Sequence, residues 1–211
     1  MRHIRSQRLV QCRGCSLPEM SCLCAELPSL SVRTRLLVVM HHREAFRTSN
    51  TSRVAIKMLS GASCIVRGEL GVTPSREVPP GRRLVLFPSE GARELTAADG
   101  AGEPLTLIVP DGTWSQAQRV LRREACARGA EVVRLPAPSS TRYSLRRNAR
   151  EGTVCTLEAI AAAMAILEGP AIEAALLDAF DRFVDRALAV RGRRTHFMEE
   201  KITSARSAAA R

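Results

Sequence analysis

The only tryptophan of the chain stands in the tetrapeptide Asp111–Trp114 (DGTW), between two segments of different periodicity. The segment 105–110 is short, apolar and ended by a proline, which is typical of a buried strand, whereas apolar residues recur at helical spacing over 115–128. A strand-to-helix turn of this kind directs backbone N–H groups toward the crevice in which open α/β sheets bind ligands. The tetrapeptide therefore predicts a ligand site, while a tight Asp-Gly turn before a core tryptophan is an equally good interpretation.

Two members of this tetrapeptide, Asp111 and Trp114, could do chemistry. Thr113 and Gln116 have the spacing of a capping box, so the start of the helix explains both. A carboxylate beside helix N-terminal amides stays ionised and can accept or orient a proton, and an indole can stack on a base. Asp111 is therefore the candidate catalytic residue, although stabilisation of its own turn would also explain it.

The cysteines suggest a metal site near the start of the chain. Four of the seven are clustered, namely Cys12, Cys15, Cys22 and Cys24. Two close pairs can supply four thiolates to a tetrahedral structural zinc, which we favour over redox chemistry. A set of surface thiols without metal is the alternative. The scattered remainder, Cys64, Cys126 and Cys155, are expected to behave as small core hydrophobes.

The composition favours a polyanionic partner. The chain has 211 residues, with 32 basic against 21 acidic residues and a formal net charge of +11. All but two of the basic residues, Lys57 and Lys201, are arginine, which can grip phosphate bidentately. The apolar runs are too short to span a bilayer and no signal peptide is apparent, so we expect a nucleic-acid partner, no membrane and a cytoplasmic location. No obligate protein partner is inferred.

Strands and helices alternate along the chain, which predicts an α/β fold with a parallel sheet flanked by helices. The expected strands are 34–40, 62–67, 84–87, 105–110 and 132–135, with helical stretches between the last three, and the other expected helices are 50–59, 156–168 and 170–190. The expected organisation is an N-terminal zinc-binding segment at 1–30, one principal domain at 31–198 and a C-terminal tail at 199–211.

The loop after the first strand is a further candidate site. It contains His41, Arg43 and Glu44, and Asn50 is placed to cap the helix that follows. Adjacent histidines at a strand end point in different directions, so a loop that orders substrate or cofactor is favoured over a metal site. Helix capping and surface charge are the alternative reading of these residues.

A basic loop near residue 144 combines phosphate-binding and stacking side chains. Arg142 and Arg146 flank the only tyrosine, Tyr143, and this combination suits a single-stranded or loop nucleotide. A solvated basic loop is the alternative. The chain has no Walker sequence, dinucleotide fingerprint or nucleophile elbow, which counts against ATP, GTP, NAD and serine-hydrolase chemistry.

Taken together, these motifs resemble the DTW-domain family, whose name comes from the tetrapeptide at Asp111–Trp114. Five blocks match in order and cover most of the chain: 12–24, 41–51, 86–90, 109–116 and 142–159. The resemblance implies transfer of a 3-amino-3-carboxypropyl group from S-adenosylmethionine to nitrogen 3 of a uridine in tRNA, with release of methylthioadenosine. It also implies a knotted fold similar to SPOUT methyltransferases, with the principal domain as the catalytic DTW domain.

The resemblance further implies roles for individual residues. Asp111 would be catalytic, as the base that removes the proton of the uracil nitrogen. S-adenosylmethionine would be bound at the strand ends by Phe87, Pro88, Ser89, Thr113, Trp114, Leu135 and Thr156. The RNA would be bound by His41, Arg43, Glu44, Asn50, Arg142, Tyr143 and Arg146. A SAM-dependent RNA methyltransferase and a non-catalytic, zinc-bearing RNA-binding protein are the alternatives.

Overall fold

The computed structural model describes residues 10–69, 71, 77–136, 154–190 and 192. The strands are β1 (Arg35–His41), β2 (Ser63–Arg67), β3 (Arg82–Leu86), β4 (Arg93–Glu94), β5 (Leu105–Asp111) and β6 (Glu131–Arg134). The helices are α1 (His42–Ala45), α2 (Ser52–Met58), α3 (Trp114–Arg123), α4 (Thr156–Glu168) and α5 (Pro170–Val190), with short 3₁₀ turns at Glu19–Ser21 and Ala97–Gly100.

The six described strands form one sheet in the order β2-β1-β5-β3-β6-β4, and every pair of neighbours is parallel. This confirms the predicted α/β architecture. Because the strands are parallel, their carboxyl ends lie at one edge of the sheet, and the register places Asp111 beside Met40 there. The knotted path stays a prediction, since residues 137–153 between β6 and α4 lie outside the described residues.

The two faces of the sheet are covered by different numbers of the described helices. On the side we call the α4 face, alternate strand residues such as Leu36 and Val109 pack in one core with α2, α4 and α5. On the opposite side, the α3 face, the intervening residues such as Leu37 and Ile108 pack against α3 and the segment that follows it. Central strands covered on both faces explain why β1 and β5 read as continuous apolar runs.

Two local expectations were wrong. The stretch between β3 and β5 is not helical: it contains β4 and a 3₁₀ turn, and Gly91 has a positive φ of 78° that interrupts a helix there. Cys64 is exposed rather than buried, because β2 is an edge strand, whereas Cys126 and Cys155 are buried as expected. No described helix is long and apolar enough to cross a bilayer.

The cysteine segment, residues 10–30, packs directly on the α4 face. Cys15, Leu17 and Leu23 are buried in the same core as the sheet. The guanidinium of Arg186 on α5 donates to the carbonyl of Cys22 at 2.6 Å and to the carboxylate of Glu26 at 2.6 and 2.7 Å. The cysteine segment is thus joined to the principal domain, across the predicted boundary at residue 30, by apolar packing and by charged hydrogen bonds.

A cluster of charges around Asp99 ties β3, β4 and the 3₁₀ turn together. The Asp99 side chain is 5% exposed, and its carboxylate accepts from Arg93 at 2.8 Å twice and from Arg82 at 2.6 Å. The backbone and hydroxyl of Thr96 donate to it at 2.9 and 3.1 Å. Hydrogen bonds from Arg93 above all hold the pKa of Asp99 well below its ordinary value of 3.8.

We expect Asp99→Asn to lower the free energy of unfolding by about 2 kcal/mol at pH 7, the scale of hydrogen bonds to a charged group. A folded-state pKa below the ordinary 3.8 stabilises the fold above that pH and loses the contribution as pH falls toward the depressed value. Urea unfolding at pH 7 and pH 3 should therefore show a gap between wild type and variant that narrows at pH 3. Asp178→Asn, which removes an exposed partner of Arg182, is the control and should change stability by under about 0.5 kcal/mol. An equal difference in unfolding free energy between wild type and Asp99→Asn at both pH values would contradict the stabilising role of the ionised Asp99 carboxylate.

Candidate functional site

The carboxyl edge of the sheet brings together the residues that follow β1, β3 and β5. Strand alternation sends neighbouring side chains to opposite faces, so the register decides which of them meet. Val109 belongs to the α4-face core, which places Asp111 on the same face. Val39 belongs to the α3-face core, which places His41 on the other. The catalytic candidate and the first histidine are therefore close along the edge but face different sides.

The carboxylate of Asp111 is buried and receives three hydrogen bonds. Asn50 Nδ2 and Ser52 Oγ donate to Oδ2 at 2.9 and 2.7 Å, and Thr156 Oγ1 donates to Oδ1 at 2.7 Å. The residue is 8% exposed. A carboxylate offers about four lone-pair positions, so three donors leave about one free. Asp111 thus anchors the starts of α2 and α4 to the end of β5.

Asn50 is itself held in place by the loop that carries it. Its amide nitrogen also lies 3.3 Å from the carbonyl of Glu44, and its Oδ1 accepts from the backbone N–H of Arg53 at 3.3 Å. That last bond satisfies a backbone N–H in the first turn of α2, although the N-cap position is Thr51 and not Asn50 as predicted. The side chain is 4% exposed, so its polar atoms are used within the protein. Its predicted contact with substrate stays a prediction.

Trp114 and Phe87 form a tilted aromatic pair on the same edge. Their ring centroids lie 4.6 Å apart at an interplanar angle of 41°. Phe87 is 5% exposed and belongs to the core, whereas Trp114 is 56% exposed, so much of the indole is open to solvent. This excludes the core-tryptophan interpretation and provides a surface on which a flat ring can stack.

A capping box and a close contact shape the turn before Trp114. Thr113 caps α3, and its backbone N–H donates to Gln116 Oε1 at 2.7 Å, as predicted. A Cβ on Gly112 would lie 2.7 Å from that same Oε1 and 3.4 Å from the Cβ of His41. A side chain at position 112 would therefore displace Gln116 from its bond to Thr113, so glycine preserves the capping box.

The histidine loop continues from β1 into α1. His41 Nδ1 accepts from the backbone N–H of Arg43 at 3.2 Å, and its ring centroid lies 4.5 Å from that of His42. Burial, followed by the positive charges of His42, Arg43 and Arg119, lowers the pKa of His41. The ring is therefore neutral at pH 7, and since Nδ1 is an acceptor, Nε2 carries the hydrogen. Glu44 pairs with Arg47 at 3.3 Å.

The remaining predicted site residues are spread more widely. Ser89, which follows Pro88 beyond β3, borders a cavity of about 420 Å³ with Arg93 and Glu131, and the other predicted donor-binding residues do not line it. Leu135 packs against the α4-face core. The predicted RNA-binding residues Arg142, Tyr143 and Arg146 lie outside the described residues. Ser52 was missed by the sequence analysis, because a serine in a helical first turn is common and carries no sign of what it will face.

The four clustered cysteines converge on one point. Their Sγ atoms lie within 4.8 Å of one another, with 3.3 Å between Cys12 and Cys22 and 3.7 Å between Cys12 and Cys24. Backbone hydrogen bonds, that of Cys15 foremost, lower the pKa of Cys12 to about 6. A Cβ on Gly14 would lie 2.6 Å from Cys24 Sγ, so glycine makes room for the cluster. Four converging thiols fit the tetrahedral ligand set of a structural zinc.

Comparison with known proteins establishes the family. A model of the DTW domain matches residues 9–188. The chain belongs to the DTW-domain family. The tRNA-uridine aminocarboxypropyltransferase 2 of Macaca fascicularis is 30% identical over 175 residues, covering 77% of this chain and 58% of that protein. The protein of the same name from Drosophila melanogaster is 27% identical over 169 residues, covering 75% and 66%. The chain thus spans less than two thirds of the length of these relatives.

Among solved structures, the DTW domain of this chain is similar to the SAM-dependent rRNA:acp-transferase Tsr3 from Vulcanisaeta distributa. The two are 18% identical, with a TM-score of 0.48, and the match covers 76% of this chain and 80% of that one.

The threonines of the DTW domain allow a matched test of the Asp111 anchor. Thr156→Val removes one donor to the carboxylate and should lower the free energy of unfolding by about 1 to 2 kcal/mol. Thr106 is 2% exposed and its Oγ1 has no hydrogen-bond partner among the residues that the structure describes. Thr106→Val, the same substitution, should leave stability unchanged or raise it by up to about 1 kcal/mol. Urea unfolding measures both, and equal losses in the two variants would contradict the anchor.

Proposed function

We propose that this protein transfers the 3-amino-3-carboxypropyl group of S-adenosylmethionine to nitrogen 3 of a uridine in tRNA. The observation that carries the proposal is the DGTW turn, which presents a buried carboxylate and an exposed indole at one edge of the sheet. The names of the relatives support the reaction, and the net charge of +11 supports a tRNA partner in the cytoplasm.

The reaction replaces a proton with a carbon at the uracil nitrogen. Nitrogen 3 loses its proton and forms a bond to the γ-carbon of the methionyl chain, while the bond from that carbon to sulfur breaks with both electrons going to sulfur. Methylthioadenosine leaves as a neutral thioether. S-adenosylmethionine supplies a sulfonium with three electrophilic carbons, and the carbon held in line with the nucleophile is the one that reacts. Alignment of the methyl would instead give a methyltransferase, so product mass separates the two.

The proposed donor site lies around the aromatic pair of Trp114 and Phe87. The exposed indole can support a flat ring, and the start of α3 supplies backbone donors. The proposed donor-binding residues are Phe87, Pro88, Ser89, Thr113, Trp114, Leu135 and Thr156. The proposed RNA-binding residues are His41, Arg43, Glu44, Asn50, Arg142, Tyr143 and Arg146.

Asp111 is the proposed base, and its surroundings define how it would act. Three donors hold the carboxylate in one orientation and leave about one lone-pair position for the proton of the uracil nitrogen. The role requires substrate to reach an atom of a residue that is 8% exposed.

We expect Asp111→Asn to fold, to bind S-adenosylmethionine, and to transfer the group at least about a hundredfold more slowly, the scale of a lost general base. The hydroxyls of Ser52 and Thr156 can rotate to accept from the new amide, so the anchor survives in part. Raising the pH should partly restore the rate, because more uridine is then already deprotonated. Nucleoside mass spectrometry of tRNA measures the product.

Two control variants separate chemistry from support. Trp114→Ala should weaken donor binding as well as rate, since it removes the stacking face. Thr156→Val should lower the rate much less than Asp111→Asn, with no recovery at high pH. Full activity in Asp111→Asn would show that Asp111 is not the base and serves only to form the turn. If Asp111→Asn and Thr156→Val lower the rate equally, and both effects are independent of pH, Asp111 is a structural anchor and not the base. If the wild-type protein binds tRNA but forms no product, the protein is a non-catalytic RNA-binding protein.

We also propose that Cys12, Cys15, Cys22 and Cys24 hold one structural zinc, supported by their convergence. Metal analysis of protein purified without chelator should find about one zinc per chain, and Cys22→Ser should lose it and unfold at lower temperature. Cys64→Ser, which changes an exposed thiol outside the cluster, should keep the metal. Folded wild-type protein with essentially no zinc would contradict the proposal.

A further inference from the structure

Most arginines in the described part of the chain already have partners. Arg93, Arg134 and Arg186 pair with carboxylates, and Arg53 and Arg83 donate to backbone carbonyls. Seven others are exposed and have no carboxylate or carbonyl partner for the guanidinium among the described residues: Arg13, Arg33, Arg43, Arg119, Arg122, Arg123 and Arg128. Three of these, Arg119, Arg122 and Arg123, stand together on α3, and we call them the α3 strip.

The α3 strip lies on the outer side of its helix. Ala117 and Val120 face the sheet and are buried, while Gln118 is exposed with the arginines. No acidic residue occurs within α3, and Glu124, which follows it, pairs with Arg67. The positive charge of the strip is therefore not neutralised by its own helix, and three arginines in five residues span roughly 6 Å along the axis.

Stabilisation of the helix does not account for the whole strip. Arg122 and Arg123 lie in the last turn, where a positive charge favours the helix dipole by about 0.3 to 1 kcal/mol. Arg119 lies one turn earlier, outside the region where that effect is large. Its helix starts three residues after Asp111, the last residue of β5, so the strip follows directly on the carboxyl edge of the sheet.

The first turn of the same helix carries the exposed indole of Trp114. A basic row on the helix that also carries the proposed donor site suits the backbone phosphates of a single-stranded or looped RNA. Phosphate contacts fix the register of a nucleic acid, so the row can hold the strand while one nucleotide enters the site. Arginine suits this use because its planar fork binds phosphate bidentately.

We propose that Arg119, Arg122 and Arg123 bind backbone phosphates of the RNA substrate and guide the strand toward the carboxyl edge of the sheet, beside the proposed donor site at Trp114. The proposal rests on the proposed function for the identity of the RNA, and it assigns the docking to a helix face that the family motifs do not include. The strip makes phosphate contacts only, so it acts on binding and not on the bonds that are made and broken.

The test compares two triple variants of equal charge. The strip variant is Arg119→Gln/Arg122→Gln/Arg123→Gln, and glutamine keeps the helix propensity. The control is Arg33→Gln/Lys57→Gln/Arg182→Gln, which removes three exposed charges that lie away from α3. Dissociation constants for unmodified tRNA are measured from 50 to 250 mM salt, and steady-state kinetics are measured at one salt concentration.

The strip variant should bind tRNA about tenfold or more weakly, with a salt slope smaller by roughly 2, since each lost phosphate contact removes about 0.7 to 0.9. Its KM should rise by a similar factor while kcat stays within about twofold. The control should keep the wild-type slope and KM. Equal weakening in both variants would overturn the proposal, because it would show a general effect of net charge, and an unchanged slope in the strip variant would overturn it as well.

The binding and product measurements fail independently. If the wild-type protein makes no modified uridine, and the strip variant loses salt-dependent tRNA binding while the control variant keeps it, the docking surface is supported and the proposed reaction is wrong. If wild-type protein modifies tRNA and the strip variant does so with unchanged KM, the reaction stands and the docking surface falls.

Discussion

A buried carboxylate needs hydrogen-bond donors, and the architecture at the carboxyl edge of the sheet follows from meeting that need for Asp111. All three donors come from outside its own strand: Asn50 and Ser52 from the start of α2 and Thr156 from the start of α4. The arrangement joins two helices of the α4 face to the central strand β5. A shift of either helix would leave a charge buried without its partners, so the position of each is restricted by the other.

The two faces of the sheet divide the work. The α4 face holds three helices and the cysteine segment, and its charged contacts at Arg53 and Arg186 are turned inward toward backbone carbonyls. Among the described residues, the α3 face is covered by α3 and the segment that follows it, and it carries the exposed Trp114. The contacts that anchor Asp111 thus lie on one side of the sheet, and the exposed indole lies on the other. The DGTW turn is the point where the two meet, since Asp111 faces the first side and Trp114 opens on the second.

The sequence predicted the parts of this structure whose physics is local. Continuous apolar runs identified the central strands, the spacing of Thr113 and Gln116 identified the start of α3, and four cysteines identified one cluster. The features that the sequence did not predict depend on how the strands are aligned with one another. Which face Asp111 occupies, and hence that Asn50 and Thr156 turn toward it, follows only once β5 is aligned beside β1. Cys64 was expected in the core because an isolated cysteine usually behaves as a small hydrophobe, and nothing local shows that its strand lies at the edge of the sheet.

The hydrogen bonds to Asp111 join residues that are far apart in the chain, and this separation determines when they can form. Asn50 lies 61 residues before Asp111 and Thr156 lies 45 residues after it. Contacts between residues so far apart in the chain are made late in folding, because the entropy of closing long loops is lost before the contacts repay it. A chain emerging from the ribosome can complete most of its described sheet before α4 has been synthesised. Until then the carboxylate at the end of β5 lacks one donor and stays hydrated, so this edge of the sheet is completed only after the strands have been synthesised.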